Sequence, residues 1–422
     1  MTSNVTSLAK VRAAARDKLA RQKTNDRLTT VLLVLVVVLV VVGLGVTMSA
    51  SSAVALNQTD TQDQWHFLKR QLIGVGLGTL ALLVAARFPY RWYRKLALPS
   101  FALTVVLLVL VEVRGITEGG ATRWLSVPGL TSFQPSEIAK VTVVFVLAYL
   151  LERKHKLLTR FGHFIVPVAA TLGVVGVLII RQPDLGTLII IGAAALAVII
   201  ASDAPMKYVM LLGTVAILVT VYMAFDADYR ASRITSFLDP YQDPLGDGYQ
   251  VIQGFYALGN GGIFGVGLGA SRARWFYLPN AHTDFIFAII GEETGLIGGL
   301  TVIALFIALA IAGWMVAARA PDRFGRMVAA GITVWLSFQA LVNIGGVLGV
   351  IPITGIALPF VSFGSTALAV SMAAVGMLVN IAQHGVDAPS PKAKAHRVSS
   401  RDSGSDAAAK KKTYRISAGN SG

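Results

Sequence analysis

Cysteine is missing altogether from the 422-residue chain, so disulfides, thiolate metal sites and cysteine nucleophiles are excluded. Charge is scarce as well: 14% of residues are charged against 55% hydrophobic, and the mean hydropathy is +0.66. A soluble domain carries about 25% charged residues, so this composition makes a bilayer the solvent. No cluster has zinc spacing and no serine sits in a hydrolase elbow. The glycine series Gly259, Gly261, Gly262, Gly265, Gly267 and Gly269 lacks both the Lys-Ser/Thr ending and the preceding strand of a phosphate loop, which argues against a nucleotide site. Acid is in short supply, 22 residues against 37 basic ones, for a net charge of +15. The basic surplus lies in the two tails and in short loops, the pattern of positive-inside topology. Anionic membrane lipids, and not nucleic acid, are therefore the expected partner.

What the chain does contain is apolar runs, and a membrane span needs about 20 apolar residues. They predict an all-α polytopic membrane protein with about ten transmembrane helices and both termini cytoplasmic. The runs lie near residues 29–48, 70–86, 98–113, 164–180, 208–225, 327–348 and 366–382, with a fourth following Ser136 and ending at Arg153, a sixth resuming directly after the break at Arg181 to Thr187, and an eighth beginning at Asp284 and ending before Arg319. Residues 1–27 form a basic cytoplasmic tail, 28–384 the membrane domain and 385–422 a disordered cytoplasmic tail rich in Ala, Ser, Lys and Gly. The first run has no convincing cleavage site after it and reads as a retained span. The longest polar segment, 226–283, falls outside. Its aromatic content argues against disorder, and residues 248–269 are apolar enough for a re-entrant or interfacial hairpin.

Ionisable residues near hydrocarbon need partners. Arg181 with Asp184 is the near pair in sequence, and Ser136 reads as the N-cap of the fourth span. Glu292 and Glu293 cannot both face lipid. Lys140 or Arg123 is a possible partner, in an ion pair that fixes helix packing. Arg230, Arg233, Arg272 and Arg274 flank the outer loop against the positive-inside trend. They suit either an anion such as a diphosphate or the neighbouring aspartates. Trp124 reads as an interfacial belt residue and His282 as a hydrogen-bonding neighbour of a helix start. Asp284 stands where the polar loop ends. Thr283 as N-cap with Asp284 in the first helical turn is one reading, and catalysis the other.

Several stretches, in order, resemble the SEDS family of membrane proteins, whose branches include FtsW and RodA. They are Gly120-Ala121-Thr122-Arg123-Trp124-Leu125, Gln134-Pro135-Ser136-Glu137, Gln182-Pro183-Asp184-Leu185-Gly186-Thr187, Gly248-Tyr249-Gln250, Ala281-His282-Thr283-Asp284-Phe285-Ile286-Phe287, Gly291-Glu292-Glu293 and Leu358-Pro359-Phe360-Val361-Ser362. The stretch 249–269 with Phe237-Leu238-Asp239-Pro240-Tyr241 looks closer to the FtsW branch. Phe363-Gly364-Ser365-Thr366 departs from the family, which usually has a second glycine there.

The resemblance implies a peptidoglycan glycosyltransferase polymerising lipid II at the outer face of the bacterial cytoplasmic membrane. It would serve the division septum alongside a class B penicillin-binding transpeptidase and other divisome membrane proteins. Asp284 would be the essential carboxylate, acting as general base. Arg123, Trp124, Asp184, Arg233, Arg272, Arg274 and His282 would bind substrate, and Lys140, Glu292 and Glu293 would support the cavity. A divalent cation, Mg2+ or Mn2+, is a possible cofactor. The alternatives are a lipid II flippase, an elongation polymerase of the RodA type, or a non-catalytic scaffold.

Overall fold

A computed structural model of the chain describes residues 2–58, 63–118, 121–126, 132–225, 228–275, 278–279 and 281–385. The disordered C-terminal tail expected after 385 lies outside these residues. In chain order the helices are α1 (Thr2–Gln58), α2 (His66–Arg87), α3 (Tyr90–Arg114), α4 (Pro135–Arg153), α5 (Phe161–Arg181), α6 (Leu185–Ala201), α7 (Met206–Phe225), α8 (Asp228–Leu238), α9 (Tyr249–Gly261), α10 (Ile286–Ala318), α11 (Arg323–Val347) and α12 (Ser365–His384). A small antiparallel hairpin of β1 (Ile116–Glu118) and β2 (Ala121–Trp124) departs from the all-α expectation. Its two strands pair their backbone groups locally, and Thr117 and Thr122 share a hydroxyl hydrogen bond of 2.8 Å.

A helix occupies each of the ten expected spans. Eight of them are long and apolar enough to cross a membrane. The other two are α6, at 17 residues, and α4, which carries Glu137 and Lys140 within its length. The chain is thus a multi-pass membrane protein. α1 runs unbroken through the basic leader, because residues 2–27 contain neither glycine nor proline and are rich in Ala, Lys and Arg.

Burial sorts the helices. The most apolar part of α11 is 78% buried and that of α7 only 17%, so α11 stands at the centre and α7 at the lipid-facing edge. Around α11 pack α4, α6, α10 and α12, while α2 lies along α12 and α1 along α10 and α12. The large side chains that α7 turns outward, Met210, Ile217, Leu218 and Tyr222 among them, cover an edge suited to acyl chains.

Two helix starts differ from expectation. α4 is preceded by Gln134 with Pro135 in its first turn, a place where proline's missing N–H costs nothing; Ser136 is therefore inside the helix. α10 begins at Ile286, so Thr283 and Asp284 lie in the turn before it, and no side chain caps its first residue.

The described residues of the long segment 226–283 are folded, with α8 and α9 among them. α9 packs on α10, and the chain then returns along a break in α10 at Gly295 (φ 67°, ψ −166°). That break releases backbone groups that loop 262–267 satisfies. Leu296 N–H donates to the Gly262 carbonyl (2.9 Å) and Ile297 N–H to that of Ile263 (3.3 Å). Val266 N–H and Gly267 N–H donate to the carbonyls of Glu292 (2.9 Å) and Glu293 (3.1 Å). Irregular backbone at membrane depth is tolerated only with such pairing.

Candidate active site

The turn 281–285 sets Asp284 against the segment 352–364, part of the connection from α11 to α12. Three consecutive carbonyls hold the turn there. That of His282 accepts from Phe363 N–H (3.0 Å), that of Thr283 from the Ser362 hydroxyl (2.6 Å) and that of Asp284 from Asn343 Nδ2 (2.8 Å). The half-buried Asp284 side chain lines a narrow cleft. Three walls of that cleft, Val342, Ile353 and Thr354, are shared with a cavity of about 310 Å³. The cavity lining combines apolar side chains, Ile189, Phe338 and Ile351 among them, with the charged groups of Arg123, Asp184 and Arg233.

Each of those charged groups is placed by a different element. Arg123, on β2, donates from Nε to the Gln182 carbonyl (3.0 Å) and from Nη2 to that of Pro183, with Nη1 4.0 Å from Asp184 Oδ1. Asp184 is the N-cap of α6. It accepts from Thr187 N–H (3.1 Å), the Thr187 hydroxyl (2.8 Å) and Gln134 Nε2 (3.4 Å). The expected partner of Asp184, Arg181, instead meets Glu112 at 3.5 Å. Asp184 turns back onto its own helix start, whereas Arg181 ends α5. Arg233, on α8, is exposed and donates from Nη1 to the Ile353 carbonyl at 3.4 Å. Asp284 and Arg233 face each other over Gly355: a Cβ placed there would lie 3.5 Å from Asp284 Oδ2 and 3.6 Å from Arg233 Nη1.

Burial pushes the Asp284 carboxyl up to about 6. The guanidiniums of Arg233 and Arg123 oppose the rise and the charge of Asp184 adds to it. A carboxylate that titrates near neutrality beside two guanidiniums can take up and release a proton at physiological pH, the property that a general base needs.

The other expected site residues lie elsewhere. Arg272 is exposed, and Arg274 packs its guanidinium over Trp275 (5.4 Å) and reaches the Ser49 hydroxyl (3.5 Å). Neither lines the cavity or the Asp284 cleft, because the loop turns back on α10 before it reaches residue 284. Trp124 stands on β2 opposite Ile116, beside Arg123 but not on the cavity wall. His282 is half-buried between Phe67 (5.0 Å) and Phe363 (5.8 Å), and desolvation pushes its imidazole down to about 4; it is neutral at pH 7.

Glu292 and Glu293 do not pair with Lys140 or Arg123. Glu292 accepts from the Ser271 hydroxyl and from the N–H groups of Arg272 (3.1 Å) and Ala273 (3.3 Å), and Glu293 from the Ser49 hydroxyl. Both glutamates therefore hold loop and helix together. Lys140, 1% exposed, binds Glu137 (2.7 Å) and Gln339 (2.9 Å) under the Trp335 ring.

The cavity's donor set makes no cation cage. Among the described residues no three His, Asp or Glu side chains converge, and both oxygens of Asp184 already accept hydrogen bonds. Sequence reasoning passed over Asn343, Gln339 and Ser362, which fix the walls. The available signal was a pair of amides four residues apart inside the apolar α11.

Residues 30–386 match the family model for FtsW, RodA and SpoVE, described as "Cell cycle protein". A "Probable peptidoglycan glycosyltransferase FtsW" of a Geobacter species is 42% identical over 321 residues, 76% of this chain and 87% of that protein. The "Stage V sporulation protein E" of Bacillus subtilis is 40% identical over 324 residues, 76% of this chain and 88% of that one. Among solved structures, a chain of a peptidoglycan synthase complex that coordinates polymerization and crosslinking superposes with a TM-score of 0.67 at 29% identity. The match covers 84% of this chain and 97% of that chain. The rod shape determining protein RodA of Thermus thermophilus gives a TM-score of 0.61 at 26% identity, over 83% of this chain and 95% of its own. With a family match running from α1 to the end of α12 and relatives of this similarity along most of its length, the chain belongs to the FtsW, RodA and SpoVE family of cell cycle proteins.

Proposed function

We propose that the protein is a peptidoglycan glycosyltransferase that polymerises lipid II, with Asp284 as its general base. The observation that carries this reading is the Asp284 carboxyl, raised to about 6 beside a cavity lined by two guanidiniums and by apolar side chains. The apolar lining suits a polyprenyl chain and the guanidiniums suit its diphosphate. The 4-hydroxyl of an acceptor GlcNAc attacks the anomeric carbon of a donor MurNAc. The new C–O bond forms as the bond to the diphosphate breaks, the hydroxyl proton passes to Asp284, and undecaprenyl diphosphate leaves with the bonding electrons. Arg233 and Arg123 meet the charge that develops on it. A single displacement inverts the anomeric centre.

The reaction belongs on the outer face of the cytoplasmic membrane, at the division septum, with a class B penicillin-binding transpeptidase as partner. Sequence similarity to proteins named FtsW and the likeness to a synthase complex support that assignment.

Lipid II supplied in detergent tests the reaction, because an enzyme makes polymer from it and a flippase does not. The pH profile tests the base. Activity is expected to rise through about pH 6 as Asp284 ionises and to level off above, since only the carboxylate accepts a proton. Arg233→Ala removes a cation that favours the carboxylate, so the acidic limb moves to higher pH. Arg272→Ala should leave the limb in place. A limb near pH 4, or a larger shift with Arg272→Ala, contradicts the assignment.

A further inference from the structure

Asp284 lies in a turn, so no helical hydrogen bond fixes its main chain, and its position is set from across the fold. The most demanding of the three carbonyl contacts is made by Asn343, which is 4% exposed. Its single Nδ2 group donates to the Asp284 carbonyl at 2.8 Å and to the Ile356 carbonyl at 2.7 Å. Both protons are therefore used on main-chain acceptors of two separate segments. The other end of the amide, Oδ1, is buried with no partner, a loss that burial penalises. The reverse orientation would set Oδ1 against two carbonyl oxygens, so the position uses the two donors and not the acceptor. Ile356 adjoins Gly355, over which Asp284 and Arg233 face each other. One amide thus ties the turn that carries the carboxylate to the segment that carries the cation's anchor, the Ile353 carbonyl.

We propose that Asn343 is a positioning residue for Asp284: its amide holds the turn at 284 and the segment at 356 at a fixed separation, and so sets the carboxylate at working distance from the acceptor hydroxyl. The role rests on Asp284 being the base. No other common side chain reproduces it. Asp and Leu offer no N–H, Ser offers one donor, and Gln carries its amide one carbon further out. A base works within about 3 Å of the proton it takes, and a displacement of about 1 Å costs on the order of 100-fold. Substrate affinity is set by other groups, the two arginines and the apolar wall, so the turnover rate and the affinity should separate.

The test uses the full chain, purified in detergent, with lipid II as substrate and thermal unfolding measured alongside. Asn343→Asp is expected to lower kcat by about 10- to 100-fold with KM for lipid II within about threefold of wild type. A kcat within twofold of wild type, or a KM rise that accounts for the whole loss, overturns the role. Should Asn343→Asp not yield folded protein, Asn343→Ser keeps one donor and carries the same two outcomes, a kcat loss at unchanged KM or its absence. A wild-type chain that makes no polymer overturns the reading of the site and this role with it. An active wild type with an unaffected variant overturns the role alone.

Discussion

Asp284→Asn is expected to abolish lipid II polymerisation and to leave the protein at least as stable as wild type at pH 7. The amide keeps the shape of the carboxyl but accepts no proton, so the loss should span the 10²- to 10⁴-fold range that general-base catalysis contributes. The main chain at 284 keeps its contact with Asn343, which separates loss of chemistry from loss of fold. The direction of the stability effect follows from the raised carboxyl. Its folded value is about 6 against an ordinary 3.8, so between those pH values the folded chain binds more protons than the unfolded one. Stability then falls as pH rises from about 4 to about 6 and stays lower above. Replacing the carboxylate removes that penalty, on the order of 1 to 2 kcal/mol for a half-buried group. Thermal unfolding at pH 5 and pH 7.5 checks it: the wild type should be the more stable at pH 5, and the variant should show a smaller difference. Undiminished polymerase activity in the variant removes Asp284 from the mechanism.

Gly295→Ala is expected to be the most damaging substitution for the fold. The backbone at 295 (φ 67°, ψ −166°) lies in a region essentially reserved for glycine, and another residue there costs about 1 to 3 kcal/mol for the conformation alone. A Cβ would also overlap the Ile263 carbonyl and the Gly265 N–H, which are main-chain atoms and cannot swing aside. Loop 262–267 would have to move off α10 and give up the four hydrogen bonds that close the break. At membrane depth no water replaces them. The expected result is little folded protein, or a midpoint at least about 5 °C lower in detergent, with amides 266, 267, 296 and 297 losing protection from hydrogen exchange. A midpoint within a degree or two of wild type would show that the loop does not depend on this conformation.

The membrane fold was legible because an apolar stretch of span length leaves the chain little choice. The arrangement of the site was legible in part, and the places where the structure departs from chain order share a cause. Arg272 and Arg274 stand near Asp284 in sequence, yet the loop doubles back onto α10 and leaves them with Trp275 and Ser49. Arg123 and Arg233, distant in sequence, arrive at the cavity on β2 and α8. The nearest cation to Asp184 in sequence, Arg181, points to Glu112. Glu292 found backbone N–H groups and a hydroxyl where a counter-ion was sought. Apolar periodicity reports which residues face lipid. It does not report which polar groups meet, because that depends on where an irregular loop turns.

The buried ammonium of Lys140 bears on how the chain is built into the bilayer. On insertion scales a lone lysine costs about 3 kcal/mol at the centre of a span and less nearer its end, where Lys140 lies as the sixth residue of α4. Glu137 neutralises it from within α4, but Gln339 and Trp335 come from α11, with Gln339 199 residues further along. While the ribosome is still making that later segment, α4 has only part of its polar company and is a poor lodger in free lipid. Biogenesis is therefore expected to be non-sequential, with α4 retained beside the insertion machinery until α11 emerges.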